Sequence, residues 1–534
     1  MTQRPAIIVA ATPTSNGDLH LGHMAGPYLS GDVYARYLAA TGRDVVYTTI
    51  TDDSQTYVST TAQRQGLSPE ALRATSTDAI AASMRALGIG IDGMPPIGAS
   101  YRETVLTFVE RLHRNGSLRL RKVRMPVARA TGQVLFDGFL GGTCPACLAG
   151  SSGGVCEGCG HPNHFDQLLD AAPALDPGAE FEYREYEVLV LPLEEYRERL
   201  RAYYDERRDL WRPHARQLIQ ELLAGPLPDV PVTVPGDWGL PAPFAETPGQ
   251  RIYPWIEAMP AVMYASAWVV AQREPAQRGP APAETDDLWR RDRDAEIVYF
   301  HGYDNVYYWG LVDLALLMAH DDRYALPATN VCNEFYELDG QKFSTSRNHL
   351  VWTRDLLDGV PRDVARFYLA LTAPEFQRST FTRPALRTTT GARLIRPWNE
   401  LAAQLAVLTG KVVDTELPTT ENGRLRAKVL TKRFAGCYEL ATFSMGRAAA
   451  MVADQLDRLR AASGDLKDDP VALGDLLLEV RALLAGAAPL LVDVAARAEG
   501  QGVELRLDDS EPPESITVFT LPALTGDHDG TGRS

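Results

Sequence analysis

The stretch "TPTSNGDLHLGHMAGPYLSGDVYARY", residues 12–37, decides the fold of this chain. A turn rich in Pro, Asn and Gly stands directly before two histidines, His20 and His23, spaced as H-x-x-H. Ahead of it, "PAIIVAAT" (5–12) is an apolar, β-branched run typical of a buried parallel strand. Behind it, apolar residues recur at nearly helical spacing up to Gly42, and "DVVYTTITD" (44–52) predicts a second strand.

A strand, a helix and a strand that ends in polar residues form the α/β nucleotide-binding pattern, in which ligands lie beyond the carboxyl ends of parallel strands. The two histidines stand at the start of the helix, where unpaired N–H groups and the helix dipole favour an anion. We therefore expect the imidazoles to contact phosphate oxygens. Gly22, which has no side chain, would let a flat base approach the main chain. The alternative is a pair of satisfied surface histidines, which a lone H-x-x-H would favour.

Composition limits the class of protein. The chain has 534 residues, of which 45% are hydrophobic and 23% charged, so it is globular and long enough for two or three folded units. It has no apolar run of about 18 residues that would span a membrane, and its first residues lack the features of a signal peptide, so we expect a cytoplasmic protein. The net charge of -16 argues against a generally nucleic-acid-coated surface, although a local basic patch is compatible with it.

Four of the six cysteines fall within "CPACLAGSSGGVCEGC", a segment surrounded by Gly and Pro that resembles an inserted knob. The spacing C-x2-C-x8-C-x2-C predicts a closed, structural Zn²⁺ site of four thiolates. These ligands would be Cys144, Cys147, Cys156 and Cys159. Disulfides are the alternative, which a cytosolic setting disfavours. Cys332 and Cys437 are expected to be buried thiols.

The second half of the chain resumes the alternation of strands and helices. Residues 252–266 and 295–320 each predict a strand that leads into a helix, and residues 333–352 predict a hairpin that turns at Asp339-Gly340. The loop "KFSTS" (342–346) follows, and its cation and hydroxyls suit a polyphosphate. From about 386 to 500 the sequence is helical, and the tail after 505 is acidic or Gly-rich apart from the apolar "ITVFTLPAL".

H-x-G-H after the first strand and K-F-S-x-S after the last are the paired signatures of class I aminoacyl-tRNA synthetases. Over about its first 385 residues the chain resembles the methionyl-tRNA synthetase family, through "NGDLHLGHMAGPYLSGDVYARY", the four-cysteine knob, "DWGLPAP", "YPWIEA", "HGYDNV" and "DGQKFSTSRN". The resemblance implies an α/β fold: a Rossmann-type parallel sheet that binds nucleotide, a zinc-knuckle insertion and a C-terminal α-helical domain. The implied divisions are 1–120 and 206–385 for the two halves of the catalytic domain, 121–205 for the connective insertion, 386–505 for an anticodon-binding-like helical domain and 506–534 for an acidic tail.

The reaction implied by this resemblance begins when a carboxylate attacks the α-phosphate of ATP, giving an aminoacyl adenylate and pyrophosphate, with Mg²⁺ on the phosphates. The catalytic residues implied are His20, His23 and Lys342. Those implied to bind ATP are Gly22, Gly302, Asp304, Ser344, Ser346 and Arg347. The family has a second lysine in this loop where this chain has Thr345, so one cationic contact is either lost or supplied by the arginine that follows.

The resemblance also implies an amino-acid pocket, in which Asp52 binds the α-ammonium group with help from Trp255. The implied lining residues are Ala11, Thr12, Thr14, Asp52, Trp255, Ala258, Val262 and Trp309. Four of them depart from the family, which has Leu and Tyr at the two threonines, an aromatic residue at the valine and His at the second tryptophan. The family's arginine in T-R-D-x-x-W-G is Val234 here, and its D-E-x-G-T segment is "DSQT". These changes predict an amino acid other than methionine; ordinary drift and a slight misalignment are the alternative.

The helical region also departs from the family. The family reads the anticodon with an Asn- and Pro-Trp-containing segment, whereas the corresponding region here is "MVADQLDRLRAASGDLKDDP". Our main hypothesis is an ATP-dependent ligase that passes the aminoacyl group to a small-molecule hydroxyl or amine, such as an N-hydroxylated amine in natural-product biosynthesis, with a separate cupin-type partner. The alternative is a divergent methionine–tRNA ligase. A non-enzymatic tRNA or amino-acid sensor is disfavoured because His20, His23, Lys342 and Asp304 are all present.

Overall fold

The structure is a computed structural model that describes residues 4–91, 93–273, 285–343, 349–466 and 469–524, and only the main chain of Lys342. The chain forms two compact units, each assembled from distant parts of the sequence. The first unit comprises Met1–Asp18, Val46–Ala82 and Ile91–Asn333. The second unit comprises Leu19–Val45, Ser83–Gly90 and Glu334–Ser534. Within the described residues, no helix is both long and apolar enough to cross a membrane.

A four-stranded sheet forms the centre of the first unit. Its strand order is Thr329–Asn333, Glu296–Gly302, Ala6–Ala10 and Val45–Thr48. The strand Ala6–Ala10 pairs in parallel with Glu296–Gly302, which pairs in parallel with Thr329–Asn333. All five residues of Ala6–Ala10 are buried, because the strand is apolar on both faces and parallel sheets are covered on both sides. The predicted parallel α/β sheet and its first two strands are confirmed.

The α-helices that begin in the first unit cover this sheet and its insertion. They are Thr56–Gln65, Pro69–Leu87, Ala99–Arg114, Arg197–Glu206, Pro213–Ala224, Pro254–Gln272 and Asp313–Met318. The predicted strand-to-helix passage at 295–320 is confirmed by Glu296–Gly302 and the helical residues after it. The passage at 252–266 is almost all helix, because only Arg251–Ile252 is extended before Pro254 begins the helix.

A long antiparallel ribbon forms the base of the insertion and pairs Arg119–Ala128 with Phe181–Pro192. Asp229–Pro231 adds a third strand beside Phe181–Pro192. Its smaller strands are Leu140–Thr143, Gly150–Ser152, Gly154–Val155, Pro162–Asn163 and Leu169–Pro173. They enclose a small apolar core of their own, formed by Leu135, Phe139, Leu140 and Leu168. The first unit also contains the short pair Thr233–Val234 and Arg251–Ile252.

The second unit is mainly helical. Its α-helices are Leu21–His23, Leu29–Ala40, Thr353–Leu357, Arg362–Leu371, Arg383–Thr390, Arg396–Thr409, Glu421–Tyr438, Met445–Gly464, Pro470–Ala487 and Val492–Glu499. Its strands are Tyr336–Leu338, Gln341–Lys342, Ser379–Phe381, Glu416–Pro418 and Ser515–Thr517. The predicted hairpin is confirmed, and Asp339 and Gly340 both have positive φ, 49° and 76°, as a two-residue turn requires. The apolar patch of the tail is ordered, since Ser515–Thr517 pairs with Glu416–Pro418.

A buried ion pair joins two helices of the second unit. Arg366 of the helix Arg362–Leu371 donates to the carboxylate of Asp32 on Leu29–Ala40 at 2.5 Å, and both side chains are buried. The guanidinium also donates to the carbonyl of Leu490 at 2.9 Å. A buried charge is tolerated only when it has polar partners, and these contacts supply them to Arg366. They also fix the position of the helix that follows the histidines.

Candidate active site

The two histidines of the second unit cap their own helix. The main-chain N–H of Gly22 donates to Nδ1 of His20 at 3.1 Å, and the N–H of His20 donates to Nδ1 of His23 at 3.3 Å. This is a reciprocal cap made by imidazoles, in which both Nδ1 atoms are acceptors. In the neutral rings the proton is therefore on Nε2, which makes each Nε2–H a donor suited to a phosphate oxygen.

The rings and Gly22 are closely packed. The His20 ring stacks on His23, with centroids 3.7 Å apart, and on Phe343, with centroids 4.7 Å apart. A Cβ at Gly22 would lie 2.9 Å from the His20 ring and 3.2 Å from the Phe343 ring. The absence of a side chain at Gly22 thus has a steric reason, since a methyl group would displace the ring that caps the helix.

The histidine segment is also tied to the chain that follows the "KFSTS" loop. His20 forms an isolated antiparallel bridge with Trp352, and the N–H of Leu21 donates to the carbonyl of Val351 at 3.1 Å. The main chain of Lys342 pairs with Glu337 in the hairpin. The other predicted loop residues, Ser344, Ser346 and Arg347, lie outside the described residues.

The predicted adenosine-binding residues of the first unit lie at the end of a central strand. Gly302 is the last residue of Glu296–Gly302, and Asp304 follows on the next turn. A Cβ at Gly302 would lie 2.6 Å from Oδ1 of Asp304, which also accepts from Nδ2 of Asn305 at 3.0 Å. Gly302 therefore lets this carboxylate lie close to the strand end, where ribose hydroxyls bind in folds of this class.

The predicted ammonium ligand, Asp52, lies beside the threonine segment of the first unit. Its N–H donates to the carbonyl of Pro13 at 2.9 Å, and Asp52 forms a parallel bridge with Thr14. Oδ2 of Asp52 accepts from Nε2 of Gln55 at 2.8 Å. The N–H of Ala11 pairs with the central strand, so Ala11, Thr12 and Thr14 run from the sheet to the aspartate.

Several carboxyl groups are buried around Asp52. Burial raises the pKa of Asp52 well above its usual value, an effect that Gln55 opposes and that neighbouring Glu257, Asp53 and Asp137 strengthen. Burial likewise raises the pKa of Glu257 to about 7, although its carboxylate accepts from Ser54 and Tyr101. Such a concentration of buried carboxyl groups suits a cationic ligand, and an α-ammonium group would supply the charge.

One position near this cluster differs from the family in charge. Val234, where the family has arginine, is 1% exposed and pairs with Arg251 in a short two-stranded sheet. The guanidinium of Arg251 donates to the carbonyl of Gly236 at 3.1 Å. The substitution therefore replaces a cation with a buried apolar side chain.

An aromatic pair forms the other part of the candidate pocket. The indole of Trp255 stacks on the ring of Tyr308, with centroids 3.9 Å apart and planes 4° apart. The predicted Trp309 is instead buried edge-to-face against Tyr299, with centroids 4.9 Å apart. Tyr308, which stacks on Trp255, is not among the predicted lining residues. The signal for it was the neighbouring position in "YYWG", where one step along the helix changes the face.

Ala258 and Val262, the remaining predicted lining residues, lie on the helix Pro254–Gln272. They are four residues apart and share one face of it, the spacing that aligns side chains along a helix. Both are buried, at 7% and 0% exposed. Met259 between them accepts a hydrogen bond through its sulfur from Tyr299 at 3.3 Å. A valine at this point leaves less polarizable surface than an aromatic ring would.

The four clustered cysteines form one compact group. Their sulfur atoms all lie within 4.8 Å of one another, with Cys144 3.8 Å from Cys159 and Cys147 3.6 Å from Cys156. A tetrahedral zinc site with Zn–S bonds of about 2.3 Å separates its sulfurs by about 3.8 Å, whereas a disulfide needs about 2.05 Å. The arrangement fits a zinc knuckle, and within the described chain no cysteine is joined in a disulfide.

The helical region offers few groups for stacking on RNA bases. Its described aromatic residues are Trp398, Phe434, Tyr438, Phe443 and Phe519. All of them are buried, and Nε1 of Trp398 donates to the carbonyl of Pro522 at 2.8 Å. Trp398 follows Pro397, but its burial removes it from solvent contact. Unpaired bases are usually held on exposed aromatic faces, which this described region does not present.

Comparison with known proteins assigns the chain to a family. The family described as tRNA synthetases class I (M) matches residues 6–405. The chain belongs to this family. Among curated relatives, the methionine–tRNA ligase of Kineococcus radiotolerans is 31% identical over 435 residues, which cover 76% of this chain and 70% of that protein. The methionine–tRNA ligase of a Roseiflexus species is 32% identical over 413 residues, which cover 76% and 68%.

Solved structures show the same fold. The methionyl-tRNA synthetase of Mycobacterium tuberculosis, in complex with methionyl-adenylate, superposes with a TM-score of 0.73 at 18% identity, covering 98% of this chain and 99% of that chain. The predicted fold is confirmed, and membership of the family identifies the chain as an ATP-dependent ligase that activates an amino acid.

Proposed function

We propose that this chain forms an aminoacyl adenylate from ATP and an amino acid and transfers the aminoacyl group to a tRNA, with methionine as the first candidate substrate. The observation that carries the proposal is the histidine cap, in which both Nδ1 atoms accept main-chain N–H groups, so that both Nε2–H groups suit phosphate. Methionine and tRNA are favoured because relatives that are 31% and 32% identical to this chain bear the name methionine–tRNA ligase.

The proposal gives each predicted nucleotide-binding residue a role. His20, His23 and Lys342 stabilise charge on the triphosphate, and Ser344, Ser346 and Arg347 assist from the loop. Gly22 and Gly302 give the nucleotide access to the main chain, and Asp304 accepts from the ribose hydroxyls. Mg²⁺ would accompany the pyrophosphate, and four thiolates would hold a structural Zn²⁺.

The amino acid would bind in the first unit. Asp52 pairs with its α-ammonium group, and this positive charge balances the buried carboxyl groups around Asp52. Trp255 lies beside the substrate, and the proposed lining continues through Ala11, Thr12, Thr14, Ala258, Val262 and Trp309.

A second candidate is a ligase that activates another amino acid and acylates a small hydroxyl or amine. The buried aromatic residues of the helical region favour it, because the described part of this region presents no exposed ring for anticodon bases. The replacement of an aromatic residue by Val262 favours a different side chain. A pocket built to hydrogen-bond its substrate rejects analogues by 10⁴-fold or more, whereas a missing methylene costs only about 10- to 200-fold.

One experiment separates the two candidates. ATP–pyrophosphate exchange is measured with each proteinogenic amino acid, and the preferred one is then offered with total tRNA. Methionine-dependent exchange and charging of a methionine tRNA at a comparable rate support the first candidate. Exchange that prefers another amino acid, with no charging, supports the second. Absence of exchange with every amino acid contradicts both.

A further inference from the structure

The cysteine-bearing insertion reaches the candidate pocket through one buried carboxylate, that of Asp137. This residue is 2% exposed and has a φ of 46°, a conformation that Asp and Asn tolerate better than most residues. Its carbonyl accepts from the N–H of Gly153 at 3.3 Å, and a Cβ at Gly154 would lie 2.7 Å from Oδ1 of Asp137. The carboxylate is therefore packed against the strand that leads directly into Cys156.

Two hydrogen bonds connect this carboxylate to the aromatic pair. Tyr253 donates through its hydroxyl to Oδ1 of Asp137 at 2.9 Å, and the hydroxyls of Tyr253 and Tyr308 lie 3.1 Å apart. Because the Tyr253 proton goes to the carboxylate, Tyr308 is the donor in the second bond. Tyr308 then stacks on Trp255, so its rotation is fixed from both ends.

The indole N–H of Trp255 also faces this carboxyl group. A Cβ at Gly154 would lie 3.4 Å from Nε1 of Trp255 and 2.7 Å from Oδ1 of Asp137, so both groups approach the same point. Burial raises the pKa of Asp137, and hydrogen bonding from Tyr253 and from the Trp255 indole opposes this rise. The carboxyl group of Asp137 thus lies beside the N–H edge of the Trp255 indole and also accepts from the Tyr253 hydroxyl.

A second residue of the insertion supports the same element. Nε2 of His164 lies 3.1 Å from the hydroxyl of Tyr307, and its ring meets Tyr308 edge-on with centroids 6.4 Å apart. Burial lowers the pKa of His164 to about 4, so the ring is neutral at neutral pH. The insertion therefore supports two successive tyrosines. His164 lies within hydrogen-bonding distance of Tyr307, and Asp137 reaches Tyr308 through Tyr253.

We propose that Asp137 is a positioning residue that orients Tyr308 and Trp255 through Tyr253, so that the insertion determines how tightly the amino acid binds. The inference rests on the proposed function, because it takes Trp255 to be in contact with the amino acid. Asp137 is proposed to contact neither ATP nor the amino acid. Its substitution should therefore change KM for the amino acid and leave KM for ATP nearly unchanged.

The test compares Asp137→Ala and Asp137→Asn in the full-length, zinc-loaded protein. KM for the amino acid, KM for ATP and kcat are measured by ATP–pyrophosphate exchange, with the amino acid that the wild-type chain activates fastest. Asp137→Ala should raise KM for the amino acid by about 10-fold or more and change KM for ATP less than about 2-fold. Asp137→Asn keeps a carbonyl acceptor and tolerates the positive φ, so it should restore most of the affinity.

The matched control is Asp170→Ala. Asp170 also lies in the insertion with a φ of 48°, but it is exposed, so this variant imposes the same backbone strain without touching the tyrosines. Tyr253→Phe removes the hydroxyl that connects Asp137 to Tyr308, so it should raise KM for the amino acid as Asp137→Ala does. This second variant keeps the test valid if Asp137→Ala folds poorly. Calorimetric titration with the same amino acid gives a readout independent of turnover.

The inference is overturned if both Asp137→Ala and Tyr253→Phe leave KM for the amino acid unchanged, if KM for ATP rises equally, or if Asp170→Ala has the same effect. Failure of the proposed function has a different signature, because the wild-type chain would then show no amino-acid-dependent exchange at all.

Discussion

The N–H of Gly22 donates to Nδ1 of His20, and the imidazole lies where a side chain at position 22 would stand. A Cβ there would be 2.9 Å from the ring, a distance that real Cβ atoms essentially never show. Since Phe343 stacks on the other part of the same ring, the imidazole has little room to move aside. The small residue and the cap therefore depend on each other.

We expect Gly22→Ala to reduce kcat/KM for ATP by about 10-fold or more, because the displaced His20 ring no longer presents Nε2 to the phosphates. The matched control is Gly17→Ala in the same motif, where a Cβ would meet nothing within 4 Å. Initial rates of ATP–pyrophosphate exchange at varied ATP provide the measurement. Equal losses in the two variants would count against the steric account.

His23→Ala and Lys342→Ala should lower kcat for adenylate formation by about 10²- to 10³-fold, because both groups are proposed to act on charge that develops at the phosphates. Binding of the amino acid, measured by calorimetry, should change little. His113→Ala is the control, since this partly exposed imidazole and the Glu246 carboxylate that it contacts both belong to the first unit. A loss of amino-acid affinity as large as the loss of turnover would contradict these roles.

Metal analysis of the native protein should find one zinc per chain, because four thiolates close a tetrahedral site. Cys147→Ser should reduce the zinc content and the thermal midpoint together. Cys437→Ser, which changes a buried thiol outside the cluster, should leave the zinc content unchanged. Zinc-free protein of full thermal stability would refute the prediction, and so would disulfides at these positions.

KM for the amino acid should fall as pH rises through the raised pKa of Asp52. Burial raises the pKa of Asp52, so its carboxyl group is protonated over a wider range of pH, and only the ionised form pairs with an ammonium group. Asp52→Asn should weaken binding and flatten this dependence, which separates Asp52 from Glu257, whose pKa is raised to about 7. A wild-type KM that is independent of pH would exclude the pairing.

Sequence reasoning predicted the parts of the molecule whose signal is local. The four-cysteine spacing, the apolar strand Ala6–Ala10 and the Asp339-Gly340 turn are each encoded within a few neighbouring residues, and the structure confirms them. Contacts between distant residues were not accessible in the same way. Tyr253 and Asp137 form a hydrogen bond although more than a hundred residues separate them in the sequence, and no local pattern marks either residue.

The aromatic residues of the pocket illustrate the same limit. That Trp309 lines the pocket, as its place at the family's histidine position implies, stays a prediction. In the structure Trp309 packs on Tyr299, and the neighbouring Tyr308 stacks on Trp255. Which side of a helix faces a ligand depends on how the helix packs, and adjacent residues point about 100° apart. A sequence pattern therefore locates such a segment more readily than it identifies the residue that faces a ligand.

Amino-acid-dependent incorporation of radiolabelled pyrophosphate into ATP tests the central claim most directly. The zinc-loaded wild-type protein is assayed without tRNA, with each proteinogenic amino acid and with none. We expect exchange that depends on an amino acid and shows a marked preference for one or a few of them, because Asp52 and the aromatic pair are proposed to bind the substrate before the phosphates react. Folded, zinc-loaded protein in which no amino acid raises exchange above the blank would contradict it.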